Sequence, residues 1–203
     1  MKLACSNLYI SQPTAIIHGP LGIPKQPRQS IIQHFLKEKQ DEQDVNPNVG
    51  WRTNNYAHLD NDILNPILDQ IHLYYCNNVV GPRGPKMITD FYWQNTNNLE
   101  VDAEVWFQEL LPGQGCPMHE HGTLSRYSWV YYLDVNEDAT PLTFVETKAN
   151  KNEISPVDET HLPVYNDLIV MFPSMILHKV NPVQTKRYIL AGNINDICYK
   201  EPQ

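Results

Sequence analysis

LPGQGCPMHEHGTLSRYSWVYYLDV, residues 111–135, contains two short runs, Cys116 to His121 and Arg126 to Val135, joined across Gly122. Runs of this length, the second rich in Val, Tyr and Trp, read as strands. Residues two apart on a strand share a face, so His119 and His121 project together while Glu120 points the other way. The same parity puts Arg126, Ser128, Val130 and Tyr132 on one face of the second run. Tyr127, Trp129, Tyr131 and Leu133 fall on the other, which is more apolar and is expected to pack the core.

The same texture extends outward on both sides. Short apolar runs at Met87–Trp93, Ala103–Leu111, Cys116–His121, Arg126–Val135, Pro141–Glu146, His161–Tyr165, Asp167–Phe172, Leu177–Asn181 and Arg187–Ile194 are separated by Pro, Gly, Asn and Asp. Strands at this spacing, with no helix between them, predict a sandwich or barrel rather than a parallel α/β sheet. Upstream, a short strand near Leu8–Ile10 and an extended Pro-rich piece at Gly19–Pro27 precede two helical patterns. Ser30–Lys39 aligns Ile31, Ile32, Phe35 and Leu36; Asp62–Tyr75 aligns Ile63, Leu64, Ile67, Leu68 and Ile71, with Pro66 in its first turn. The expectation is one domain over residues 1–203, with a supporting segment (1–85) whose two helices cover one face of a β core (86–197).

Fifteen Lys and Arg against 23 Asp and Glu give a net charge of −8, so no broad basic face awaits phosphate and no nucleic-acid partner is expected. The sequence has no apolar run long enough for a membrane span, and Met1–Ile10 lacks a signal-peptide core, which predicts a soluble, cytoplasmic protein without a membrane partner. Cys5, Cys76, Cys116 and Cys198 are scattered and fit reduced thiols.

A third imidazole, His178, follows the strand and turn DLIVMFPSMILHKVNP. Two strand-borne histidines and a remote one would make a three-sided metal site with positions left open; the alternative, in a chain with eight histidines, is a coincidental HxH pair on the surface. His18, His34, His58, His72 and His161 lack such a context and read as ordinary histidines. Nine residues beyond His178, Arg187 opens the apolar run RYILAGNI, which would not bury an unpaired guanidinium. The choice is between an arginine solvated beside Lys186 and a fork that grips a carboxylate; the neighbouring metal candidates favour the second.

This order of parts resembles the iron(II)- and 2-oxoglutarate-dependent oxygenases. More narrowly it resembles a bacterial and phage group whose core reads W-x-N, a Gly turn, HxHP, SGxYY, GxLxxFPxxxxHxV and RxSxxxN. The matching residues are Val105–Phe107, Gly113, His119-Glu120-His121, Ser128 with Tyr131-Tyr132-Leu133, Phe172-Pro173-Ser174, His178-Lys179-Val180, Arg187 and Asn193, with Gly50-Trp51 and the following helix as lead-in. Gly122 replaces the group's Pro, Trp129 and Asp167 replace Gly, and Ala191 replaces Ser; Trp129 is expected to fill part of a pocket.

The resemblance implies a double-stranded β-helix (a jelly-roll, cupin-like barrel). It also implies Fe(II) on His119, His121 and His178, and 2-oxoglutarate with its far carboxylate on Arg187. In a second scheme only His119 and His178 bind iron, and His121 stands behind them or meets an acidic substrate group. Ser128, Arg126 and Tyr132 are the further candidates for the cosubstrate pocket, and Thr143 and Asn193 for the cavity wall. The implied reaction uses molecular oxygen to hydroxylate a C–H bond of a peptide or small molecule, releasing succinate and CO2, in the cytoplasm of a bacterium or a phage host. Two rivals compete with it. A cupin-type metal enzyme or sugar-binding protein fits GQGCPMHEH, but lacks the Glu soon after His121 and gives Arg187 no task. A metal-free jelly-roll interaction module would use Trp93, Trp106, Trp129 and Tyr131 as a binding surface.

Overall fold

A computed structural model of the chain describes residues 16–39, 48–55, 57, 61–75, 77–78, 99–122, 125–150 and 153–199. In chain order the elements are β1 (Ile17–Pro20), α1 (Lys25–Lys39), β2 (Trp51–Arg52), a single 3-10 turn (Asp62–Leu64) and α2 (Asn65–Tyr75). There follow β3 (Leu99–Leu110), β4 (Cys116–His119), β5 (Ser125–Asp134), β6 (Leu142–Asn150), β7 (Glu153–Leu162), β8 (Leu168–Pro173), β9 (His178–Val180) and β10 (Arg187–Tyr199). The strands form a six-stranded sheet in the order β1-β8-β5-β10-β3-β2 and a four-stranded sheet in the order β4-β9-β6-β7. All pairings are antiparallel. Among the described residues no helix is long and apolar enough to cross a membrane.

The parity of β5 divides the core in two. Tyr127, Trp129, Tyr131 and Leu133 face the helices and pack with Ile31, Phe35, Leu64, Ile67 and Ile71. Phe35 stacks on Phe107 with ring centroids 4.9 Å apart, and Arg28 Nη1 donates to the Leu133 carbonyl (2.6 Å), fastening α1 to the sheet. Tyr132 and Val130 face the other way, into the space between the sheets, with Trp106, Leu142, Phe144, Phe172 and Ile189. The helices therefore cover one face of the large sheet, as expected, and the small sheet covers the other.

Four readings need correction. Helix α1 begins at Lys25 rather than Ser30, because Pro27 in a first turn sacrifices no hydrogen bond. Ile63 is 36% exposed and drops out of the α2 stripe, since it sits in the 3-10 turn before the helix settles. Strand β7 runs through Glu153–Leu162 instead of a short piece at 161–165. Its sequence, EISPVDETHL, reads as a loop, but β7 is an edge strand, where a proline and polar side chains are tolerated. Trp129, expected to fill part of a pocket, packs its indole into the helix-side core and only borders the space between the sheets. Its indole occupies the room left by Gly192, where a Cβ would come within 2.5 Å of Trp129 Cζ2. The expected strands at Leu8–Ile10 and Met87–Trp93 fall outside the described residues.

Candidate metal centre

The site lies between the two sheets. Strands β4 and β9 pair so that His119 is directly opposite His178, which brings these two rings together (centroids 4.2 Å apart). The chain leaves β4 and His121 N–H donates to the Ser174 carbonyl (2.9 Å), turning the third ring inward over Trp106 at 6.0 Å. One ligand atom from each of His119, His121 and His178 falls within 4.8 Å of the others. Glu120 points away, its Oε2 accepting Gly122 N–H (2.9 Å). Gly122 has φ 75°, a conformation closed to proline, so the chain leaves the HxH pair through a turn that glycine permits.

Hydrogen bonds orient two of the rings for coordination. His119 Nδ1 donates to the Pro117 carbonyl (2.8 Å) and His178 Nδ1 donates to the Ile176 carbonyl (2.9 Å), which leaves the lone pair of each ring on Nε2. His121 Nε2 lies 3.3 Å from His178 Nε2, a separation at which two lone pairs need a proton or a cation between them. Burial, reinforced by the neighbouring His119, lowers the His121 pKa to about 4 and that of His178 to about 3. Both rings are therefore neutral ligands near pH 7.

A cavity of about 530 Å³ opens from these rings along the large sheet. Cross-strand register arranges its floor in rows: Ser128–Asn193–Glu104, then Val130–Ala191–Trp106, then Tyr132–Ile189–Gln108, and last Arg187–Leu110. Arg187 is 2% exposed; Nη1 donates to the Thr140 carbonyl (2.9 Å), and Nε and Nη2 have no partner although buried. Two orphaned donors on a buried guanidinium that lines a cavity fit a carboxylate that enters from outside. Burial raises the Tyr132 phenol to about 12, with the Arg187 charge opposing, so Tyr132 offers that end of the cavity an O–H donor.

The structure thus brings together His119, His121, His178, Arg187, Tyr132 and Ser128 around one cavity, with Asn193 in its wall. Ser128 sits in the row farthest from Arg187, its hydroxyl placed between Ser174 Oγ (3.0 Å) and Asn193 Oδ1 (2.8 Å). Arg126 is exposed and does not line the cavity, which corrects its placement beside Ser128 and Tyr132. The β5–β10 register slips between the Tyr127 and Ser125 pairings, so the alternation that predicted its position stops there. Thr143 is buried away from the cavity, 3.0 Å from His161 Nδ1. Sequence reasoning missed Arg52, Asn55, Glu104, Gln108 and Cys116 and named Trp106 only for the surface of an interaction module; all six are in the lining. The alternation of β3 gives Glu104, Trp106 and Gln108 a common face, a signal that could have found those three.

No family model matches the sequence, and no curated protein does. Several solved structures share its fold. A prolyl-4-hydroxylase from Pseudomonas putida superposes with a TM-score of 0.55 at 16% identity, over 89% of this chain and 91% of that one. The viral collagen prolyl hydroxylase of Paramecium bursaria Chlorella virus-1 gives 0.57 at 11% identity, over 91% and 95%. SnoN, a non-haem, alpha-ketoglutarate-dependent epimerase from nogalamycin biosynthesis, gives 0.61 at 9% identity, over 92% and 81%. The double-stranded β-helix expected from the sequence is the fold of this chain.

Proposed function

We propose that the chain is an Fe(II)- and 2-oxoglutarate-dependent oxygenase that hydroxylates a C–H bond of a small-molecule or peptide substrate. The observation that carries this reading is the pairing, around one cavity, of a three-histidine cluster with a buried arginine that has two N–H groups without a partner. A fold shared with two prolyl hydroxylases and an alpha-ketoglutarate-dependent epimerase supports it.

His119, His121 and His178 would hold the iron, and Arg187 with Tyr132 would hold the far carboxylate of 2-oxoglutarate. The bound metal and cosubstrate supply oxidation by O2 coupled to loss of CO2 and formation of succinate. The protein's own part is orientation and exclusion of water. The carbonyls of Pro117 and Ile176 fix two imidazoles, while Phe172 and Trp106 pack against His178 and His121. Phe172, Leu142 and Ile189 wall off the channel between the rings and Arg187. A cupin without cosubstrate leaves the Arg187 N–H groups without a task, and a metal-free module leaves the histidine cluster without one.

Anaerobic addition of Fe(II) and then 2-oxoglutarate should produce the weak visible charge-transfer band of a chelated 2-oxo acid, and oxygen should then release succinate slowly. Bound iron that gives no band and no succinate would return the chain to the cupin reading.

A further inference from the structure

The end of the cavity away from Arg187 is charged. Glu104 Oε2 accepts Asn193 Nδ2–H (2.6 Å), and its Oε1 accepts Asn55 Nδ2–H (3.1 Å). Asn55 Oδ1 in turn accepts Arg52 Nη2–H (2.8 Å). Arg52 has only donors, so Asn55 must offer it the oxygen and turn its NH2 to Glu104; the direction of the chain of bonds is fixed. The Arg52 guanidinium lies over Trp106 at 5.3 Å, and Trp106 stacks on His121. Both charges are therefore next to the histidine cluster, and both line the cavity.

Arg52 and Glu104 form no direct ion pair. The Asn55 amide stands between them, and its backbone cannot drift, because the Asn55 carbonyl accepts Val105 N–H (2.8 Å) and Ala57 N–H returns to the Val105 carbonyl (3.1 Å). Two unlike charges are thus held one amide group apart, with donors on the guanidinium and lone pairs on the carboxylate still unused. 2-Oxoglutarate held at Arg187 leaves this end free. Asn193 lies six residues along β10 from Arg187, about 20 Å at ~3.3 Å per residue, and a dianion would meet Glu104.

We propose that Arg52 and Glu104 anchor the head group of the primary substrate, which is a free amino acid: its α-carboxylate on Arg52, its α-ammonium on Glu104, and its side chain toward the histidines. The inference deepens the oxygenase reading and rests on it for the reaction, though not for the binding. A lone amine would satisfy Glu104 but face Arg52, and a lone acid would face Glu104; only a molecule with both charges, spaced as on one α-carbon, is attracted by both.

Ligand-observed NMR tests this with the twenty proteinogenic L-amino acids. The protein is used both without metal and loaded with redox-inert Zn(II) and 2-oxoglutarate. At least one amino acid should bind, and its N-acetyl derivative and its methyl ester should each bind at least tenfold more weakly. Arg52→Gln and Glu104→Gln should each weaken the parent at least tenfold while leaving Zn(II) affinity within twofold. Arg52 is exposed, so its variant is expected to fold even where the Glu104 variant does not. The inference falls if no amino acid binds in either form, if either derivative matches its parent, or if Arg52→Gln binds like the unaltered protein. Loss of Zn(II) in Glu104→Gln would instead make Glu104 a metal ligand and overturn its role here. Binding of amino acids with no charge-transfer band would sink the oxygenase reading and leave the anchor standing.

Discussion

Replacing Arg187 by Met separates binding from folding. The guanidinium, which lines the cavity, has Nε and Nη2 without a partner, and a methionine side chain would offer no donor at all. Each charge-assisted hydrogen bond to a carboxylate is worth about 1.5–3 kcal/mol. Losing two, with water recovering part, should weaken 2-oxoglutarate by roughly 100- to 1,000-fold at about 1.4 kcal/mol per decade. Stability should move differently. Deleting the arginine strands the Thr140 carbonyl, at a cost of about 1–3 kcal/mol. It also removes a buried charge with two unmade hydrogen bonds, which relieves a desolvation penalty of several kcal/mol. The ligand-free Arg187→Met variant should therefore unfold in urea at the same denaturant concentration as the parent or a higher one. Calorimetry of 2-oxoglutarate binding to the Zn(II)-loaded proteins, with metal content measured alongside, checks the first half, and urea melts check the second. A 2-oxoglutarate affinity within threefold of the parent, with Zn(II) retained, would refute the anchor. Collapse of the ligand-free fold would show that Arg187 is a structural residue instead.

Tyr132→Phe removes one neutral donor from the same end and should weaken 2-oxoglutarate by about fivefold, in keeping with a single hydrogen bond of ~1 kcal/mol, with Zn(II) affinity unchanged. His121→Ala should reduce Zn(II) affinity by more than the roughly 10- to 100-fold that follows loss of a group behind a ligand; full retention would leave His119 and His178 as the two histidine ligands. In the metal-free protein, burial holds His121 at about 4 and His178 at about 3, below the ordinary 6.5, so unfolding takes up protons in acid. Their stabilising effect is complete above pH 6.5 and is lost as pH falls from there toward 3–4, so urea stability should be lower at pH 5 than at pH 7.5. Carbon-detected NMR should show both rings still neutral at pH 5, and titration of either near 6.5 would contradict the packing. Asp167 occupies φ 71° and accepts Gly22 N–H, Ile23 N–H and Tyr131 O–H. Asp167→Ala keeps the strained backbone and loses all three bonds, destabilising by about 2–4 kcal/mol; Asp167→Gly relieves the strain and should lose distinctly less, and equal losses would remove the backbone from the explanation.

Local rules made part of this legible in the sequence. Alternation in RYSWVYYL sorted Tyr127, Trp129, Tyr131 and Leu133 onto the helix-side core and Ser128 and Tyr132 onto the cavity before any neighbour was known. The HxH pair carried its geometry with it, and Arg187 stood out because an apolar run and a guanidinium conflict. The rest depends on register, which parity cannot supply. Ser128, Asn193 and Glu104 form one hydrogen-bonded row only because β5, β10 and β3 pair where they do, joining residues 65 and 89 positions apart. Arg126 shows the converse, since a slip in that register carries a correctly counted side chain out to solvent. Asp167 shows a substitution read as a departure and solved as an adaptation: glycine's conformation is kept, and the carboxylate is used to tie the turn after β1 to β5.

Three histidines with no carboxylate beside them also set the charge of the site, and the remaining residues answer it. Three neutral imidazoles give a divalent cation no ligand charge, and Arg187 and Arg52 add two positive groups to the same cavity, against which Glu104 is the single acidic side chain among the described lining residues. Around the buried His178 and Arg187 such an excess is costly unless anions enter with the metal. A dicarboxylate at the Arg187 end and an α-carboxylate over Arg52 would supply them, whereas a site with a carboxylate ligand would need less. Metal affinity should therefore rise when 2-oxoglutarate is present, and by linkage 2-oxoglutarate affinity should rise by the same factor when metal is present. A cavity that bound the two independently would show that the missing ligand charge is compensated somewhere other than these residues.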